Sequence, residues 1–79
     1  MKTGDIVRLR TTVRIERGLI IVPQGHPPWS DEWDISTTFA TWEVGLVIQV
    51  MNNPRGHQCI KLFTSHGSGW IEDSELMNL

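Results

Sequence analysis

The residues of this 79-residue chain best suited to chemistry are a serine–histidine pair, a cysteine near a second histidine, a set of arginines toward the N-terminus, and two tryptophans in an acidic stretch. Ser65 and His66, with Asp73 further on, supply the residue types of a hydrolytic triad, in which histidine activates a hydroxyl and a carboxylate orients the histidine. The surroundings of a triad are missing. Ser65 and His66 are adjacent in Ser65-His66-Gly67-Ser68-Gly69, and no Gly-x-Ser-x-Gly elbow holds the serine. Ser, His and Gly also serve a turn for backbone reasons alone, so no catalytic residue is assigned. His57 and Cys59 stand two apart, hence on one face if both lie in a strand, and with His26 and His66 they are of the ligand types that zinc takes. No Cys-x-x-Cys or paired-His spacing supports such a set. Cys59 therefore reads as a small strand residue and the histidines as surface residues, with no metal or cofactor expected. The glycines near Ser68 lack the Lys-Ser/Thr pair and following helix of a phosphate loop.

Two groups remain as binding candidates. Arg8 and Arg10 alternate on one strand face, and Arg14 and Arg17 follow, which is how a phosphate-tracking stripe for nucleic acid begins. The first seventeen residues carry net +3 and the remainder net −5, an asymmetry that would steer a charged partner. Against nucleic acid stands the isoelectric point of about 5.8. The second group is Trp29 and Trp33 with Asp31, Glu32 and Asp34, in a segment from Pro23 to Thr41 that holds three prolines and no Lys or Arg. Two readings of these tryptophans stay open: a lid over one end of a small core, or anchors for a partner, because Trp buries a large area at low entropic cost.

The elements that would position these groups are β-strands. Nowhere do apolar residues recur at three- and four-residue spacing over a helix's length, while Gly and Pro cut the chain into short β-rich pieces. Asp5 to Arg10 alternates with Val7 and Leu9 on one face. Thr12 to Val22 reads as a hairpin turning at Arg17-Gly18, with Ile15 opposite Ile20 and Val13 opposite Val22, although Arg resists the positive φ that tight hairpins require. Pro23 to Thr41 reads as one long loop, with Ser30 capping a short turn. Gly45 to Val50 is a strand with Leu46, Ile48 and Val50 on one face. Gln58 to Thr64 is another with Ile60 and Leu62 inward. A Ser65–Gly69 turn leads to Trp70-Ile71, and a polar turn at Glu72–Glu75 returns Leu76 to the core. Trp42 and Trp70, at strand starts, read as core.

Composition bounds the remainder. The size makes one domain, 1–79, whose core is thin. The lone Cys59 gives no intramolecular disulfide, and no apolar run long enough to span a membrane occurs, the longest being Leu19–Val22. A soluble, intracellular protein is expected.

The opening Gly4-Asp5-Ile6-Val7-Arg8-Leu9, the central Gly45-Leu46-Val47-Ile48-Gln49-Val50, Ile60-Lys61-Leu62-Phe63, and Gly69-Trp70-Ile71 followed by Glu75-Leu76 resemble the small SH3-like barrels of bacterial and phage proteins, and are similar in outline to the photosystem I subunit IV family. The resemblance covers residues 3–10 and 42–77. It implies an all-β barrel of about five strands whose first long loop is enlarged by residues 23–41, and it implies no activity, because folds of this kind host many functions. The chain contains no Tyr, so the Tyr-rich groove of proline-binding SH3 domains has no counterpart. The expected function is a non-catalytic protein-interaction or assembly module, with a phage accessory or structural role by analogy. It would bind a protein partner or a second copy through Trp29, Asp31, Glu32, Trp33 and Asp34. The alternative is nucleic-acid binding through Arg8, Arg10, Arg14 and Arg17, and the second alternative a small metal-dependent or hydrolytic enzyme.

Overall fold

The computed structural model describes residues 1–10, 12 and 15–79. Among them run seven strands: β1 (Ile6–Leu9), β2 (Glu16–Ile21), β3 (Asp34–Ala40), β4 (Gly45–Asn52), β5 (Gln58–Thr64), β6 (Gly67–Glu72) and β7 (Leu76–Asn78). A single 3-10 turn, Asp73–Glu75, separates the last two, and no described helix is long and apolar enough to cross a membrane. The strands form one antiparallel sheet in the order β3-β2-β6-β5-β4-β1-β7. All seven place side chains in one core: Val7 and Leu9 from β1, Leu19, Phe39 and Val47 from β2, β3 and β4, Ile60 and Leu62 from β5, and Ile71 and Leu76 from β6 and β7. Strand twist makes this possible by curling the sheet into a half-barrel around its inner face. The curl brings the start of β2 to the far end of the sheet, where Arg17 Nε lies 3.4 Å from Glu75 Oε1.

The all-β expectation holds, but the strand count is seven rather than about five, because the segment between β1 and β4 is not mainly loop. Arg17-Gly18 is no turn. Both residues lie inside β2, which pairs along its length with β3 from Glu16↔Ala40 to Ile21↔Asp34. Among the described residues no non-glycine has positive φ, so Arg17 does not take the conformation that a two-residue hairpin there would demand. Gly18 serves a different purpose: a Cβ on it would sit 2.6 Å from Ile35 Cδ1, so its bareness lets Ile35 lie across β2. Ile20 accordingly faces Ile35 and Trp70, not Ile15; Val13, in the expected register, lies outside the described residues.

β3 also shortens the expected loop, since residues 34–40 are strand. What remains is built from two consecutive β-turns. His26 N donates to Pro23 O at 3.0 Å, with Gly25 at φ +87° as a type II turn requires, and Ser30 N donates to Pro27 O at 3.0 Å. Ser30 Oγ caps no helix; it accepts from Glu32 N at 3.1 Å and holds the chain's exit toward β3.

In β4 strict alternation fails at a bulge between Val47 and Gln49. Ile48 is the extra residue, so Leu46 and Ile48 face outward while Val47 and Val50, on either side of the bulge, both turn to the core. Ile60 and Leu62 are fully buried, as the alternation in β5 requires, and Leu76 returns to the core after the 3-10 turn. The β5–β6 turn is tighter than expected, with Thr64 paired to Gly67 and the strand already formed through Gly69. Thr64 Oγ1 donates to Gly67 O at 2.8 Å, which explains the one buried polar side chain among the described residues.

Candidate functional site

Outward positions on the sheet carry the candidate site. Ile35 opposes Ile20, Ile20 opposes Trp70, and Trp70 opposes Lys61, which makes a row across β3, β2, β6 and β5 on the face away from the core. One step along, Cys59 opposes Glu72. Lys61 Nζ stands 5.8 Å from the centroid of the Trp70 ring, a cation–π distance that closes one side of the row. Over the other side comes the connection from β2 to β3, where buried Pro28 seats the second turn and carries Trp29 and Trp33 to the wall.

The remaining wall is the β4–β5 turn. Gly56 N donates to Asn53 O at 3.0 Å and Arg55 N to Asn53 Oδ1 at 2.8 Å, with Gly56 at φ +92°. This is a type I turn closed by a left-handed glycine, and it delivers Pro54 and Arg55 to the site. The result is an open groove of about 580 Å³ with Trp29, Trp33 and Trp70 as its aromatic lining and Asp31, Glu72, Arg17 and Arg55 as its charges.

Of the residues expected to bind a partner, Trp29, Asp31 and Trp33 line this groove; Glu32 and Asp34 are exposed but do not line it. Trp33 is 53% exposed and Trp29 36% exposed, while Trp70 is only 9% exposed. Trp70 is buried as expected, yet it belongs to the groove's floor and not to the inner core cluster. Trp42 is not core at all: at 74% exposure it stands on the outer surface in the connection before β4. Ile20, Ile35, Trp70 and Cys59 were missed as site residues. The unbroken apolar run Leu19–Val22 hides which of its residues faces outward, residue 35 reads as loop, and the β2–β6 pairing that assembles these residues leaves no local signal.

The other candidate groups are dispersed or differently arranged. His66 Nδ1 is 3.2 Å from Ser65 Oγ and 2.9 Å from Glu43 Oε2. Both partners crowd the same nitrogen, whereas a triad histidine uses one nitrogen for the hydroxyl and the other for the carboxylate. Asp73 follows β6, at the end of the β5–β6 hairpin remote from the Ser65-His66 turn. His57 precedes β5 rather than lying in it, so it does not share a strand face with Cys59, and His26 Nδ1 is 3.0 Å from Ser30 Oγ. Among the described residues no group of three or more His, Cys, Asp or Glu is placed to hold a metal ion. Cys59 is buried, and its thiol is pushed up from the ordinary value, first by burial and then by the Glu72 carboxylate, against a lowering hydrogen bond from Asn53.

The described arginines do not form one free stripe: β1 and β2 are separated by three strands in the sheet order, and where the curl brings Arg10 and Arg17 near one another both are engaged by Glu75-Leu76. Arg8 is exposed, Arg10 Nε donates to Leu76 O at 2.9 Å, and Arg17 is drawn to Glu75; Arg14 lies outside the described residues. Comparison with family models, with curated proteins and with solved structures finds no match.

Proposed function

We propose that the chain is a non-catalytic interaction module, an SH3-like barrel whose outer groove docks an extended segment of a protein partner. The barrel reading rests on the stretches that carry the resemblance: they contain β1, β4, β5, β6 and nearly all of β7, while β3 and the connection before it occupy the place of the enlarged loop at 23–41. The observation that carries the docking reading is the gathering of Trp29, Trp33 and Trp70, from a loop and a strand distant in sequence, around one open groove. Exposed aromatics on a rigid floor are what hot spots are made of, because they bury much area for little lost freedom. The two prolines at 27 and 28 and the two β-turns hold the loop ready, which lowers the ordering cost of binding. Within the groove Arg17 and Arg55 balance Asp31 and Glu72, and Glu32 and Asp34 beside it leave the surroundings of Trp33 acidic, which favours a segment in which an apolar residue is flanked by Lys or Arg.

The test is a library of immobilised peptides probed with the wild-type protein and with Trp33→Ala. The expected result is selection of basic peptides with a central apolar residue, with affinity reduced about thirtyfold in the variant, the equivalent of ~2 kcal/mol, at an almost unchanged melting temperature. If no peptide is retained, or if Trp33→Ala and Trp29→Ala act only by unfolding the domain, the groove is a structural seam and the proposal is wrong.

A further inference from the structure

On the outward side of β5, Cys59, Lys61 and Phe63 follow one another at alternate positions. Cys59 lies under the groove, Lys61 divides the face, and Phe63 opens a second apolar surface that the groove does not reach. Phe63 opposes Leu46, Leu46 opposes Ile6, and Leu79 N donates to Ile6 O at 3.1 Å. An apolar row thus crosses β5, β4 and β1 and ends on the segment after β7. Trp42 and Val44, from the connection before β4, join Ile6, Leu46 and Phe63 around a shallow depression of about 430 Å³.

These side chains are bare. Trp42 is 74% exposed, Leu79 68%, Phe63 58%, Val44 55%, Ile6 43% and Leu46 37%. With an aromatic carrying about 150–250 Å² and an aliphatic somewhat less, the exposed parts amount to roughly 600 Å². That is at the upper limit of the largest apolar patch on a typical monomer, about 300–600 Å². With a modest rim it approaches the roughly 800 Å² that each partner contributes to a standard stable interface.

The chemistry of the face selects its occupant. Glu43 is the single charged residue lining the depression, and its carboxylate is held by His66 at 2.9 Å. Arg8 and Lys61, at the neighbouring outward positions of β1 and β5, flank the apolar row at its edges, so the row itself presents apolar side chains to whatever covers it. We infer that this outer face is a self-association surface, on which a second copy of the chain packs sheet against sheet about a two-fold axis. Identical apolar rows meet in such a contact, as required where the same patch serves both sides. The groove lies beyond Lys61 and stays open in each copy, so this inference is independent of what the groove binds.

Sedimentation equilibrium over a wide concentration range tests it, on the wild type, Phe63→Lys, Trp42→Lys and Trp33→Ala. The expected result is a monomer–dimer equilibrium whose dissociation constant rises about tenfold or more in Phe63→Lys and Trp42→Lys and is unchanged in Trp33→Ala. Both lysine variants replace exposed residues, and a melt establishes that they fold. As a second measurement, isotope-filtered nuclear Overhauser effects in a mixture of labelled and unlabelled wild-type chains should connect the Phe63 ring to Leu46 or Ile6 methyls of the other copy. A monomer at every concentration overturns the inference, as does a dimer that only Trp33→Ala dissociates. Binding of the monomer to neutral lipid vesicles through Phe63 and Trp42, without a dimer, would also overturn it by assigning the face to a bilayer.

Discussion

Trp42 and Trp70 both read from the sequence as core residues at strand starts, yet one is the most exposed tryptophan of the four and the other the most buried. The difference lies in what crosses them. Trp70 has β2 on one side and Lys61 over its ring, whereas Trp42 sits in a connection with no strand opposite. Burial at this scale follows from neighbours distant in sequence, which residue type alone does not reveal. Cys59 illustrates the same point: an ordinary strand residue by sequence, it becomes a covered thiol beside a carboxylate. Its ionisation is raised in the folded chain, so the folded state keeps its proton to higher pH than the unfolded one. The stability this contributes is complete below the unfolded thiol's pKa of about 8.5 and declines as pH rises from there toward the folded value. Alkylation of Cys59 by iodoacetamide at pH 8 should therefore be much slower in the native protein than in urea. The urea midpoint should fall on alkaline titration of the wild type, and less so in Cys59→Ala. Native labelling as fast as in urea would show that the thiol is neither covered nor raised.

Among the elements, β2 decides most. Its sequence, Glu16-Arg17-Gly18-Leu19-Ile20-Ile21, contains an Arg-Gly pair that invites a turn, and the chain instead uses the glycine as a bare patch for a crossing side chain. Gly69 does the same on β6. A Cβ there would lie 2.7 Å from Leu19 Cβ and 3.0 Å from Ile20 O, so close approach of β6 to β2 depends on it. These two strands share one paired position, Ile20↔Trp70, and through it the β2–β3 hairpin is joined to the rest of the sheet. Gly69→Ala should destabilise the fold by about 1–3 kcal/mol, as overpacking does, and should loosen the groove floor at Trp70. Urea unfolding measures the first effect and Trp fluorescence the second. A variant as stable as the wild type would mean that the two strands part without cost.

For the whole molecule, part of the positive charge at the start of the chain is folded against its acidic closing segment. The basic N-terminal strand β1 pairs with β7, Arg10 reaches the carbonyl of Leu76, and Arg17 approaches Glu75 in the acidic closing turn. Topology folds part of the positive first seventeen residues onto part of the negative remainder. Nucleic-acid binding through Arg8, Arg10, Arg14 and Arg17 would need free side chains, and Arg10 and Arg17 are engaged at the closing turn. The expected outcome is therefore weak association with single- or double-stranded DNA even at low salt, with a shallow dependence of affinity on salt and little effect of Arg8→Ala; fluorescence anisotropy measures all three. Tight binding with a steep salt slope that Arg8→Ala reduces would favour the nucleic-acid reading over the protein-docking one. What the sequence determined by itself is the local part: strands at β1, β4 and β5, the turns at Asn53–Gly56 and near Ser65, and the inward faces of β1 and β5. These follow from alternation and turn chemistry within a few residues, where steric preference acts alone. Only the tertiary structure decided that β2 pairs β3 and touches β6, that a bulge turns Leu46 and Ile48 outward, and that three tryptophans surround one groove. Those outcomes rest on contacts between strands far apart in the chain, and a β-sheet takes its stability from such cross-strand pairs more than from the preferences of any one segment.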